Sequence, residues 1–138
     1  MAVKKLLLVD DEPLVRRSMQ KTLTRAGYDV ETAGNCVDGM AVFEAAHRAG
    51  QPFDLAVLDI NMPGFDDFER SGAGLDMLSR LLARRADLPV VMLSAYDEVN
   101  KAKEAVSRGA RAYTVKGREQ GLLKLIAEIL GEQASIPS

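Results

Sequence analysis

Five polar residues stand at the ends of short apolar runs, and their types suit chemistry on phosphorus. They are Asp10 and Asp11 after the first run, Asp59 after the third, Ser94 at the end of the fourth and Lys116 after the fifth. Three carboxylates held close together repel one another, so either a cation binds between them or their pKa values rise. Mg²⁺ binds few carboxylates together with phosphate oxygens, and a carboxylate can attack phosphorus. The set therefore predicts phosphoryl transfer onto an aspartate, with the metal and the lysine stabilising phosphoryl oxygens and the serine donating a hydrogen bond.

Short apolar runs alternate with longer segments of helical period along the whole chain. The runs predict buried strands at residues 4–9, 28–32, 53–58, 89–93 and 112–115. The intervening patterns predict helices at residues 13–26, 37–48, 75–85, 97–108 and 119–130. Strands that alternate with helices form a parallel sheet covered on both faces, and ligands bind beyond the carboxyl ends of its strands. This α/β arrangement would bring the five polar residues to one edge.

Composition favours one soluble domain. The 138 residues are 47% apolar and 28% charged, enough for a core without disulfides or metals, and we expect one domain at 1–131 with a tail or linker stub at 132–138. The net charge of −2 gives no basic surface for nucleic acid. The single cysteine, Cys36, fits a reducing cytoplasm and suggests a small capping or packing residue. The first apolar run, at 6–9, is too short for a secretory or membrane segment, so the expected location is cytoplasmic.

Four segments carry a resemblance to a known family. LLVDDE at 7–12, VLDINMPG at 57–64, PVVMLSA at 89–95 and GARAYTVK at 109–116 resemble the signature segments of bacterial two-component response-regulator receiver domains, including the chemotaxis receivers. They occur in the family's order and at nearly its spacing, over essentially the whole chain. The resemblance implies a single doubly wound, five-stranded parallel sheet of the flavodoxin-like type, with strand order 2-1-3-4-5 and helices on both faces.

The resemblance also implies a phosphoacceptor and a Mg²⁺ site. Asp59 matches the phosphoacceptor, and Asp10 and Asp11 match the family's acidic pair. Asp11 and Asp59 would bind the metal directly, while Asp10 would act mostly through a water. The backbone carbonyl of Asn61 would complete the metal site.

A second group of matched residues would bind the phosphoryl group and transmit the switch. Ser94 matches the switch hydroxyl, Ala95 the small residue that leaves room for the phosphoryl group, Tyr113 the switch aromatic and Lys116 the lysine. The implied donor is a histidine kinase or a phosphotransfer protein. The fourth helix, fifth strand and fifth helix would present the switched surface to an effector domain or a second copy, without direct binding of nucleic acid or membrane by this domain.

The sequence departs from the family pattern at two places. Gly117 follows Lys116 where the family has a proline after a cis bond, and since a cis bond before another residue costs about 2.5–4 kcal/mol, we expect a trans, more flexible turn. Residues 65–73 form an insertion before the third helix. The acidic residues of this insertion could reach the metal or a partner, but the favoured interpretation is a solvated loop outside the catalytic machinery. These acidic residues are Asp66, Asp67 and Glu69.

Two other functional classes compete with a phosphorylation switch. A phosphatase of the haloacid-dehalogenase type also uses an aspartate after a strand, but it needs a second aspartate two residues later, where this chain has Asn61. A degenerate receiver that acts only as an interaction module would not need the intact acidic set with Lys116. His47 has no partner at metal-binding spacing, which predicts a solvated helical histidine. The signalling switch, not an enzyme acting on free substrates, is the favoured function.

The last predicted helix leaves two interpretations open. Leu122, Leu125, Ile126 and Ile129 already form one inward stripe, and Leu123 and Leu130 add apolar area beyond it. The excess indicates either a contact surface for a partner or a broad stripe facing the core.

Overall fold

The computed structural model describes residues 3–62, 72–95 and 98–131. Within these ranges strands and helices alternate as predicted, most boundaries lying within two residues of the predicted ones. The elements are β1 Lys5–Val9, α1 Pro13–Arg25, β2 Asp29–Ala33, α2 Cys36–Arg48, β3 Leu55–Asp59, α3 Ala73–Arg84, β4 Val90–Ser94, α4 Val99–Ser107, β5 Ala112–Val115 and α5 Glu119–Ile129. No helix in the described part of the chain combines the length and apolar character needed to cross a membrane.

The strands form one parallel sheet in the order β2-β1-β3-β4-β5, which confirms the predicted topology. All five residues of β3 and of β4 are buried, because these central strands are covered on both faces. The register aligns Asp59 with Leu93 and Ser94 with Val115. The carboxyl ends of β3, β4 and β5 therefore lie side by side.

Alternate residues of β1, β3 and β4 enter two separate cores. In β1, Leu6 and Leu8 pack with buried residues of α1 and α5, while Leu7 and Val9 pack with buried residues of α2, α3 and α4. This alternation is the two-residue period of a strand applied to a sheet with helices on both faces. The helices thereby cover both sides of the sheet, and the functional residues occupy its carboxyl edge.

The start of α2 decides between the two roles predicted for Cys36, which are capping the helix and packing in the core. Asn35 is the N-cap residue, and its side-chain oxygen accepts a hydrogen bond from the backbone N–H of Asp38 at 2.7 Å. Cys36 is the next residue and is fully buried, so it packs and does not cap. Burial raises the pKa of its thiol to about 12.

The third helix begins two residues earlier than predicted, at Ala73 instead of Leu75. Gly72 precedes it with φ of 78°, in the left-handed region that favours glycine, and the Ala73 side chain is buried. The predicted insertion at 65–73 therefore ends inside a helix. Its residues 65–71 lie outside the described ranges, so their loop character stays a prediction.

Gly74 brings α3 into direct contact with the end of β3. Its backbone N–H donates to the Ile60 carbonyl at 2.8 Å, and a Cβ atom at this position would lie 2.2 Å from the Asp59 carbonyl oxygen. No side chain fits at that distance, so only glycine allows this approach.

The turn after β5 has the geometry expected from its sequence. The peptide bond between Lys116 and Gly117 is trans, as are all those in the described residues. Gly117 has φ of 91°, and apart from its chain neighbours no atom of the described residues lies within 4 Å of the position a Cβ would take. Glycine is thus favoured here by backbone conformation, not by crowding.

The last helix presents its extra leucines to the core. Leu123 and Leu130 are half-buried and pack against the cluster shared with α1. The large apolar side chains exposed in the described ranges lie elsewhere; they are Val3, Leu14, Val37, Val99 and Val106. Of the two interpretations of α5, the structure supports the broad stripe facing the core.

Candidate functional site

Four acidic side chains converge at the carboxyl edge of the sheet. The carboxylates of Asp10, Asp11, Glu12 and Asp59 each offer an oxygen within 4.8 Å of the others. Asp59 ends β3, and the other three occupy the turn between β1 and α1. The structure thus brings together the three aspartates singled out from sequence and adds Glu12, which the sequence interpretation left without a role although it continues the acidic run.

Lys116 connects this acidic cluster to the end of β5. Its Nζ lies 3.0 Å from Asp59 Oδ2 and 3.2 Å from Asp10 Oδ2, and it also donates to Glu12. Its backbone N–H donates to the Ser94 carbonyl at 2.9 Å, which anchors the turn beside β4. Burial acts to lower the pKa of Lys116, but its bond to Glu12 and the charges of the aspartates outweigh this and raise it.

Asp59 is almost completely buried, at 3% exposed. Burial, followed by the negative charge of Asp10, raises its pKa to about 7, although Lys116 opposes this rise. The Asn61 backbone N–H lies 3.4 Å from Asp59 Oδ1 and is a weak donor to it. With this pKa, the neutral and the ionised forms of the Asp59 carboxyl group are both populated near neutral pH.

Asp10 is fully buried and only partly satisfied. Its Oδ1 accepts from the Glu12 backbone N–H at 2.9 Å and from Lys116 at 3.3 Å. Its Oδ2 has no hydrogen-bond partner among the described residues, although the Lys116 ammonium lies 3.2 Å away as an ion pair. Burial raises the pKa of Asp10, against the bonds to Glu12 and Lys116. A buried oxygen that accepts no hydrogen bond from the described residues, beside the half-buried Asp11 and the buried Asp59, suits a hard divalent cation.

The residues expected to transmit a switch lie at the end of β4 and in β5. Ser94 is fully buried, and its hydroxyl has no hydrogen-bond partner in the described part of the chain. Tyr113 is half-buried and stands opposite Met92, two residues before Ser94. Since residues two apart point to the same face of a strand, Ser94 and Tyr113 share one face of the sheet. Ala95 follows Ser94 and is half-buried.

The Asn61 side chain makes contacts that the sequence did not indicate. Its amide nitrogen donates to Glu98, before α4, and its Oδ1 accepts from the Gly72 N–H at 3.1 Å. Glu98 also accepts from the Ala95 N–H at 3.4 Å. Asn61 therefore connects the end of β3 to the starts of two helices. The sequence carries no signal for Glu98, because 37 residues separate it from Asn61.

Comparison with known proteins identifies the family. A family model described as the response regulator receiver domain matches residues 6–128. The chain belongs to this family. Receiver domains are signalling switches in two-component systems, which confirms the favoured functional class.

Curated relatives support this assignment. The chain is 32% identical over 131 residues to the response regulator protein PilR of Pseudomonas aeruginosa and 33% identical over 124 residues to FleR of the same organism. These matches cover 94% and 89% of this chain but only 27% and 24% of the relatives. This receiver domain therefore spans about a quarter of the length of those proteins.

Solved structures share the fold. A receiver domain protein from Methanospirillum hungatei superposes with a TM-score of 0.78 at 29% identity, covering 94% of this chain and 95% of that one. The response regulator TrrA of Thermotoga maritima, solved in complex with Mg²⁺ and BeF, has a TM-score of 0.74 at 29% identity, with coverage of 93% and 99%. The similarity extends over nearly the whole of each chain.

Proposed function

We propose that this receiver domain accepts a phosphoryl group on Asp59 from a histidine kinase or a phosphotransfer protein, in a Mg²⁺-dependent reaction. The observation that carries the proposal is the position of Lys116 Nζ, 3.0 Å from Asp59 Oδ2 at the edge of the acidic cluster. An ammonium beside the acceptor is suited to pair with an oxygen of the incoming group. Glu12 is exposed and Asp11 is half-buried, so among the described residues a donor can approach the cluster from the turn between β1 and α1.

The acceptor must be ionised before it can react. An ionised Asp59 oxygen forms a bond to phosphorus while the bond between phosphorus and the donor nitrogen breaks. The pKa of about 7 means that a substantial fraction of Asp59 is neutral near neutral pH when no metal is bound, despite the adjacent Lys116. Additional positive charge at the cluster would lower this pKa and favour the reactive form.

The donor set fits Mg²⁺. The carboxylates of Asp10, Asp11 and Asp59 and the backbone carbonyl of Asn61 would hold the ion, with Asp10 acting through a water. The bound ion supplies positive charge that stabilises the phosphoryl oxygens. The complex of the related TrrA with Mg²⁺ and BeF supports this assignment, because BeF resembles a phosphoryl group.

The chain's own residues would convert phosphorylation into a change of surface. Lys116 pairs with one phosphoryl oxygen, and the Ser94 hydroxyl donates to another beside the small Ala95. The buried Ser94 hydroxyl has no competing hydrogen bond within the described residues. Movement of Ser94 would open space on the face that it shares with Tyr113. The response would reach the surface of α4, β5 and α5, where an effector domain or a second copy could bind.

Phosphorylation by a small donor tests the proposal. Incubation with acetyl phosphate and Mg²⁺ should add one phosphoryl group, detected by intact mass, and a chelator should prevent it. Asp59→Asn should abolish labelling, whereas Asp29→Asn, at the exposed start of β2, should label like the parent. Equal labelling of Asp59→Asn would reject the acceptor assignment, and labelling in a chelator would reject the metal requirement.

A further inference from the structure

The backbone of Asp10 is held from two sides. Its N–H donates to the Ala33 carbonyl at 3.1 Å, which extends the pairing of β1 with β2 by one residue. Its carbonyl oxygen accepts a hydrogen bond of 2.7 Å from Nη1 of Arg16, in the first turns of α1. A guanidinium donor makes a short, charge-assisted bond of this kind stronger than a neutral one. Asp10 is thereby fixed at the point where the chain leaves the sheet.

The neighbouring element leaves room for this arginine. A Cβ atom on Gly34 would lie 3.1 Å from Arg16 Nη1 and 3.7 Å from its Cζ. Gly34 does not have a backbone conformation in the left-handed region, so conformation does not require glycine there. The space above Gly34 is instead filled by the half-buried guanidinium. Because Gly34 has no side chain, the Arg16 guanidinium has room in the position from which it donates to the Asp10 carbonyl.

We propose that Arg16 is a positioning residue for the metal site: by holding the Asp10 carbonyl it directs the carboxylates of Asp10 and Asp11 into the cluster. The inference rests on the proposed function, since it concerns how the chain binds Mg²⁺. The Asp10 side chain is fully buried and its Oδ1 accepts from the Glu12 backbone N–H at 2.9 Å, so its direction depends on the backbone of the turn that Arg16 holds. Residues that orient metal ligands without touching the metal typically change affinity by about 10–100-fold when they are removed.

Two substitutions separate the hydrogen bond from the packing of the side chain. Arg16→Met keeps a long apolar stem but removes every donor, whereas Arg16→Lys keeps the stem, the charge and one donor group. Arg17→Met is the matched control, because Arg17 is the next residue of α1 and is exposed. Mg²⁺ binding is followed by titration of the full chain with MgCl₂, using the backbone amide NMR shifts of Asp11 and Glu12. Denaturant unfolding in chelator reports stability separately.

Arg16→Met should raise the Mg²⁺ dissociation constant about tenfold. Arg16→Lys should recover most of the parent affinity, and Arg17→Met should match the parent. In the acetyl phosphate assay, Arg16→Met should need more Mg²⁺ for half-maximal labelling of Asp59 but reach the parent extent at saturation, because the acceptor and Lys116 are intact.

The inference is overturned if folded Arg16→Met binds Mg²⁺ within about twofold of the parent, well short of the expected loss. It is also overturned if Arg16→Lys binds no better than Arg16→Met. A parent chain that neither binds Mg²⁺ nor becomes labelled would instead refute the proposed function, and this inference with it. If Arg16→Met fails to fold, Arg16→Gln takes its place. Its shorter, uncharged side chain removes the charge-assisted bond to the Asp10 carbonyl, so Arg16→Gln should bind Mg²⁺ more weakly than Arg16→Lys, and equal affinity in these two variants would overturn the inference.

Discussion

Replacement of Asp59 by asparagine should stabilise the metal-free chain at alkaline pH. The pKa of Asp59 rises from 3.8 to about 7 in the folded chain, mainly because the carboxyl group is 3% exposed. The folded chain therefore keeps this proton to a higher pH than the unfolded chain does. As the pH increases between about 4 and about 7, the unfolded chain releases the proton first, and the stability contributed by this group falls.

The magnitude follows from the size of the shift. One pKa unit corresponds to about 1.4 kcal/mol, so a shift of about three units costs at most ~4 kcal/mol once Asp59 is ionised in both states. Between about pH 5 and about pH 8 the cost is ~3 kcal/mol, because part of the shift lies below that range. The pKa of Asp10 is also raised and adds a loss of the same sign. Asparagine has the shape of the acid but never ionises, so Asp59→Asn should not show this loss.

Urea unfolding in chelator at about pH 5 and about pH 8 measures the effect. The parent should lose stability over this range, and Asp59→Asn should lose less by up to ~3 kcal/mol. Asp29→Asn, which changes an exposed carboxyl group, should follow the parent. Added Mg²⁺ should restore parent stability at the higher pH but have a smaller effect on Asp59→Asn. Parallel pH profiles for parent and Asp59→Asn would refute the claim that burial of this charge limits stability.

Three further predictions concern packing, the insertion and the switch. Gly74→Ala should lower the free energy of unfolding by about 3 kcal/mol or more, because its Cβ would meet the Asp59 carbonyl oxygen at 2.2 Å. Gly121→Ala, in the open part of α5, should instead raise the free energy of unfolding by about 0.5–1 kcal/mol, and urea unfolding compares the two variants. Deletion of residues 65–71, which spares the buried start of α3, should leave Mg²⁺-dependent labelling by acetyl phosphate within a few-fold of the parent, and near-complete loss would place that segment in the site. Beryllofluoride with Mg²⁺ should shift backbone NMR signals as far as Tyr113, α4 and α5 in the parent but only near the acceptor in Ser94→Ala, and distant shifts that persist in that variant would remove Ser94 from the relay.

The sequence by itself determined the sheet and the polar residues at its edge. Continuous apolar runs such as residues 6–9 are incompatible with solvent on either side, so they predict central strands of a covered parallel sheet. The residue after such a strand lies at the carboxyl edge, so the sequence alone predicts that Asp10, Asp59 and Lys116 lie together. Local rules succeeded here because each strand and its end are defined by a few consecutive residues.

Tertiary structure decided which contacts those residues make and how they ionise. From the sequence, close carboxylates could either bind a cation or have raised pKa values. The structure shows that Asp59 is buried, and this burial raises its pKa to about 7 despite the adjacent Lys116. The bond from Lys116 to Glu12 joins residues 104 positions apart, and the early start of α3 at Ala73 depends on its approach to β3. Such contacts and charge shifts arise from the sum of packing over several elements, whereas helical or strand periodicity is a property of a few neighbouring residues.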